Sequence, residues 1–95
     1  MADYRLQAEQ ILNLIGGKEN VEFLTHCFTR LRFVLKNLEL ARTEELRMLE
    51  EVKGIMVRPG SYQVVIGTAV TSYYKELEKN PKVKIVTYEG TFNYS

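Results

Sequence analysis

A single cysteine, Cys27, stands in this chain of 95 residues, so no disulfide can close within it and a Cys-x-x-Cys redox pair is excluded. There is also only one histidine, His26, so the chain lacks the Cys/His cluster that holds zinc. No metal and no other cofactor is expected. No apolar run approaches the ~18 residues of a membrane span. Basic excess is missing too: 13 Lys and Arg against 12 Asp and Glu leave a net charge of +1, which argues against a nucleic-acid partner. The opening residues Met1-Ala2-Asp3-Tyr4 lack the basic region and apolar stretch of a secretory signal. A free thiol without such a signal points to the cytoplasm.

What is present is an ordinary globular composition, 45% apolar and 26% charged. The length suits one small domain with a single core, so any chemistry is expected in a shallow, exposed groove. Tyr4, Ala8, Ile11, Leu12 and Ile15 recur at helical spacing from about Asp3, and Gly16-Gly17 stops that helix. Residues 22–27 and 29–36 read as two strands, the second alternating Leu31, Phe33 and Leu35 against Arg30, Arg32 and Lys36, with Val34 out of phase. Thr43 reads as the N-cap of a helix carrying Leu46, Leu49 and Val52 and ending near Gly54. Strands over 55–58 and 61–66 flank Arg58-Pro59-Gly60-Ser61, a type II turn by its Pro and Gly positions. Thr68 is expected to cap a last helix, buried through Val70, Tyr73, Tyr74 and Leu77 and ended by Asn80-Pro81. This order predicts an α+β fold: a four-stranded antiparallel sheet with three helices on one face. Residues 1–80 form the domain, and 81–95 a tail or the start of a linker.

Between Phe23 and Leu38 there is no acidic residue, while His26, Cys27, Arg30, Arg32 and Lys36 fall together. A lone cysteine in a small domain is ordinarily a buried small hydrophobe, and two strand arginines are ordinarily a solvated face. Their coincidence at a turn between strands favours chemistry. Positive charge favours the thiolate, guanidinium forks fit phosphate oxygens, and turn amides can cradle an anion. A tyrosine-phosphatase loop needs arginine six positions after its cysteine, where this chain has Phe33. His26 is the only histidine. As the neighbour of Cys27 in an extended strand it points to the other side, which disfavours a papain-like dyad.

Several segments resemble the IIB domain of the glucose–sucrose superfamily in the bacterial phosphoenolpyruvate-dependent sugar phosphotransferase system. They are Gly16-Gly17-Lys18-Glu19-Asn20-Val21, Thr25-His26-Cys27-Phe28-Thr29-Arg30-Leu31-Arg32-Phe33, Val52-Lys53-Gly54-Ile55 and Tyr62-Gln63-Val64-Val65-Ile66-Gly67. Together the matching segments span roughly Tyr4 to Leu77, and the Cys-x-Thr-Arg-Leu-Arg core is highly specific. The Gly-Gly-Lys-Glu-Asn and Thr-His-Cys details lean to the β-glucoside and sucrose branch. Asn37 departs from the aspartate common after the second strand, and the tail matches nothing in the family.

The resemblance implies a split α/β sandwich and a phosphotransferase role. Cys27 maps onto the phosphocysteine, which takes a phosphoryl group from a phosphohistidine of a IIA domain. It then gives that group to a sugar carried by a membrane IIC domain. Phe28, Thr29, Arg30 and Arg32 map onto the phosphate-binding loop, with His26 and Gln63 as supporting or partner-facing residues. Arg30 is expected to hold the phosphoryl group and Arg32 to matter more for the sugar step. The resemblance places the domain in the cytoplasm, at the inner face of the cell membrane through IIC. Two other readings of the residues stay open, a non-catalytic interaction module on the same fold and a single-cysteine redox sensor.

Overall fold

The computed structural model describes residues 4–79. The expected helix start at Asp3, the stop at Asn80-Pro81 and the tail 81–95 lie outside the described residues. Helix α1 spans Tyr4–Leu14, strands β1 and β2 span Val21–His26 and Arg30–Leu35, and a short helix α2 covers Thr43–Arg47. Strands β3, Gly54–Arg58, and β4, Ser61–Val65, follow, and helix α3 runs over Val70–Glu78. The four strands form one antiparallel sheet in the order β1-β2-β4-β3, so the two hairpins meet through β2 and β4.

Register explains the two faces. Leu24 pairs with Phe33, Phe33 with Tyr62, and Leu31 with Val64, and all five are buried. They meet Ala8, Ile11, Leu12 and Ile15 of the first helix segment and Val70, Tyr73 and Leu77 of α3 in a single core. The opposite face carries the row Thr25, Arg32, Gln63 and Met56. Val34 shares that face with the arginines, and its half-burial accounts for its break from the polar pattern.

The Gly16-Gly17 stop is a Schellman closure: Gly17 N donates to Leu12 O at 2.9 Å and Gly16 N to Asn13 O at 3.1 Å. Both glycines have positive φ, which side chains resist. The chain then delivers Asn20 into a knot. Its Nδ2 donates to Ile15 O and Asn37 O at 2.7 and 3.0 Å, and its Oδ1 accepts from Asn37 N at 2.9 Å. This side chain ties the end of α1 to the end of β2. Asn37 also accepts from Glu39 N at 2.9 Å, capping a 3₁₀ turn over Leu38–Leu40. A carboxylate oxygen would accept there equally, so the departure from aspartate leaves the cap in place.

Three local expectations are corrected. Thr43 is not a cap: Arg42 holds that position, and the Thr43 hydroxyl meets the Tyr62 hydroxyl at 2.6 Å. A buried tyrosine needs a polar partner, and Thr43 supplies it. Helix α2 stops at Arg47 because bonds from Met48, Leu49 and Val52 to the third residue before each tighten the chain into turns. By Lys53, whose N donates to Val65 O at 2.7 Å, the chain is already in the sheet. Thr68 does not cap α3 either; Ala69 precedes it without a side-chain bond. The turn at Pro59-Gly60 is as expected, with Gly60 at φ 73°.

Candidate functional site

The site lies at the end of the sheet where β1 turns into β2. Cys27 N donates to Arg30 O at 3.0 Å, closing a four-residue turn that lifts Phe28 into solvent, where it is 94% exposed. The turn does not stand alone. Thr29 O accepts from Ile66 N at 2.8 Å and from Gly67 N at 2.9 Å, which fastens it to the segment leading into α3. Cys27 is therefore half-buried on a turn pinned from two sides.

Its thiol sits in an anion cradle. Burial is the largest single influence on the Cys27 pKa and pushes it up. The Thr29 and Arg30 amides, then the Arg32 and Arg30 charges, act in the opposite sense and hold the pKa below the ordinary thiol value. The amides that reach the sulfur belong to Thr29 and Arg30, while Phe28 contributes its exposed ring. Lys36 does not join the patch. It lies past the far end of β2, about 20 Å from Arg30 at the usual strand rise, beside Asn37 and Leu38. Its closeness to Cys27 in sequence does not bring its charge to the thiol.

The two arginines differ. Arg32 is exposed and, with His26, Cys27, Phe28 and Thr71, lines a hollow of about 590 Å³. Arg30 is half-buried, and its Nη1 donates to Gln63 Oε1 at 3.0 Å. Gln63 is 5% exposed and passes the chain of bonds on, its Nε2 donating to Ser61 Oγ at 3.1 Å. His26 turns to the helix side: its ring packs on Tyr74 with centroids 4.3 Å apart, and its Nδ1 donates to Cys27 O at 3.0 Å. It supports the turn from behind while lining the same hollow. Thr71 was not singled out from the sequence. It stands 44 positions beyond Cys27, and its only sequence signal is its place three residues before Tyr74 on one helix face.

A first prediction follows from these charges. The alkylation rate of Cys27 is expected to rise with pH around a midpoint below the ordinary thiol value of about 8.5. Because a cation stabilises the thiolate, Arg32→Ala should move that midpoint upward, and by more than Arg30→Ala does in its charge effect alone. A midpoint unchanged in Arg32→Ala would remove Arg32 from the electrostatics of the thiol.

Fold and site together define a small α+β domain that presents one charge-tuned thiol on a turn of backbone amides. The chain matches the family model described as "phosphotransferase system, EIIB" over residues 9–41. It is 46% identical over 78 residues, 81% of its length, to the PTS system sucrose-specific EIIBC component of Staphylococcus xylosus. It is 45% identical over 69 residues, 73% of its length, to the PTS system trehalose-specific EIIBC component of Escherichia coli. These matches cover 16% and 15% of the two relatives, so the chain spans about one sixth of the length of the curated relatives it matches. Among solved structures, one domain of the PTS system IIabc component from Clostridium difficile superposes with a TM-score of 0.80 at 33% identity, covering 88% of this chain and 87% of that one. The chain belongs to the EIIB family of the phosphotransferase system. Among the described residues no helix is long and apolar enough to cross a membrane.

Proposed function

We propose that this domain is the phosphoryl carrier of a sugar-transporting phosphotransferase system, with Cys27 as the residue that bears the group. The observation that carries the reading is the thiol held under the Thr29 and Arg30 amides beside Arg32, because these stabilise first a thiolate and then a phosphoryl group. In the first transfer the sulfur attacks phosphorus of an EIIA phosphohistidine. The S–P bond forms as the N–P bond breaks, and its electron pair returns to the imidazole. In the second, a sugar hydroxyl oxygen attacks, its proton passes to a base on the EIIC side, and the S–P bond breaks to restore the thiolate. Such transfers ask the protein mainly for alignment and charge neutralisation, which backbone amides and guanidinium groups supply.

Within this reading Arg32, which faces the hollow, meets the phosphoryl oxygens directly. Arg30, bonded to Gln63, holds the turn and adds charge from the side. That arrangement favours a larger role for Arg32 in the phosphoryl step than its position in sequence suggested. Phe28, standing free beside the thiol, offers an apolar contact to EIIA and EIIC in turn. Those two partners place the domain at the cytoplasmic face of the membrane. A redox sensor would use the same acidified thiol but would have no need of a guanidinium in the hollow. An interaction module would need neither.

The test is direct. The chain is mixed with the EIIA portion of a IIABC component phosphorylated on its histidine, and its intact mass is followed. A gain of one phosphoryl group is expected, lost again on adding membranes that carry an EIIC portion and its sugar. A chain that stays unmodified beside phosphorylated EIIA overturns the proposal.

A further inference from the structure

The hollow at Cys27 has a wall that the β1–β2 turn does not provide. Thr71, in the first turn of α3, lines it together with Cys27 and Arg32. It is exposed, and its hydroxyl has no hydrogen-bond partner among the described residues. Its position is not loose. The bonds from Ile66 N and Gly67 N to Thr29 O hold the entry of α3 against the cysteine turn. Tyr74, on the same helix face as Thr71, packs on His26, whose Nδ1 holds the carbonyl of Cys27. Two independent ties, one on each side of Thr71, thus fix this helix face relative to the sulfur. The first turn of α3 carries no acidic side chain, so nothing there repels an anion, and the end of the helix favours one.

We infer that Thr71 is a further phosphoryl-contacting residue: its hydroxyl donates a hydrogen bond to an oxygen of the group on Cys27, opposite the guanidinium of Arg32. This rests on the reading of Cys27 as the carrier. A hydroxyl suits the position better than another cation. The group must leave again for a sugar, and a neutral donor steadies its oxygens without adding charge that would hold it in place. Because Thr71 comes from α3 and the amides come from the β1–β2 turn, the phosphoryl group would add a bridge between two elements that Thr29 and His26 already tie together.

The experiment compares the 95-residue chain with Thr71→Val and Thr71→Ser, using histidine-phosphorylated EIIA as donor and intact mass to time the transfer. Valine keeps the shape and the branching, and the site is exposed, so the fold is retained. Losing a hydrogen bond to a charged group is expected to slow phosphocysteine formation on the order of tenfold in Thr71→Val. Thr71→Ser, which keeps the hydroxyl, should restore most of the rate. The alkylation midpoint of Cys27 should be the same in all three, since Thr71 is not among the groups that tune the thiol. A valine variant as fast as the parent overturns the inference. A serine variant as slow as valine does so too, because the methyl group and not the hydroxyl would then matter. If the parent chain itself takes no phosphoryl group, the carrier reading falls and this inference falls with it, an outcome distinct from the other two.

Discussion

Cys27→Ser is expected to accept no phosphoryl group from EIIA, a loss on the order of a thousandfold or more in rate. The cradle works by stabilising an anion at the sulfur, and a thiol begins close enough to neutral pH for two amides and two guanidinium groups to bring the thiolate into range. A serine hydroxyl starts far higher and stays protonated under the same influences. The fold should not suffer. Cys27 is half-buried on a turn whose closing bond runs through its backbone, and an oxygen can accept from the same amides. Thermal stability should therefore lie within about 0.5 kcal/mol of the parent. Intact mass after incubation with phosphorylated EIIA decides the matter. A variant that still gains one phosphoryl group would move the carrier away from Cys27, with His26, the other nucleophile of the hollow, as the next residue to substitute.

Asn20→Ala is expected to destabilise the fold strongly from a position away from the site. Asn20 is 3% exposed, and its removal strands the carbonyls of Ile15 and Asn37 and the amide of Asn37. Each unsatisfied buried group costs about 1–3 kcal/mol, and the two at Asn37 are partly open to water, so about 3 kcal/mol in total is expected. For a domain of this size that corresponds to a fall in melting temperature of roughly 15 °C, read by circular dichroism. Asn20→Asp separates shape from chemistry. The aspartate has the same outline and can still accept from Asn37 N, but a carboxylate facing two carbonyls has no proton to donate. It should be destabilised as severely at neutral pH. Acidification should recover part of the loss, because this crowded carboxyl favours its protonated form and a protonated oxygen can donate once. An aspartate variant as stable as the parent at neutral pH would mean that the two bonds donated by Asn20 Nδ2 contribute nothing. Gly16 belongs to the same knot. A Cβ there would lie 2.5 Å from Asn20 Nδ2 and 2.9 Å from Leu40 Cβ, at a φ of 108°.

Much of this was legible in the chain because it rests on local rules. Alternation from Leu31 to Leu35 separates a core face from an arginine face whatever the rest of the protein does, and the register of β2 with its neighbours agrees. Gly16-Gly17 and Pro59-Gly60 mark a helix end and a turn because positive φ at a defined spacing is nearly a glycine property. Capping signals were less dependable. Thr43 and Thr68 have the chemistry of caps, yet the hydroxyl of Thr43 is drawn to a buried tyrosine distant in sequence, and α3 begins one residue after Thr68 would have placed it.

By itself the sequence determined the order of elements, the two faces of the second strand, and the clustering of one thiol with two arginines free of acidic neighbours. Those properties follow from side-chain chemistry and short-range periodicity. Tertiary structure alone decided how the clustered residues divide. Pairing of β2 with β4 brings Gln63 beside Arg30 and ties that guanidinium back, leaving Arg32 in the hollow. The rise of an extended strand carries Lys36 away from a thiol that its charge appeared to join. Packing of α3 on the sheet sets Tyr74 against His26 and Thr71 across from Cys27, a juxtaposition of residues more than forty positions apart. Periodicity reports which way a side chain faces along its own element. Which side chain meets another across the fold depends on how whole elements dock, and that is set by burial of the shared core.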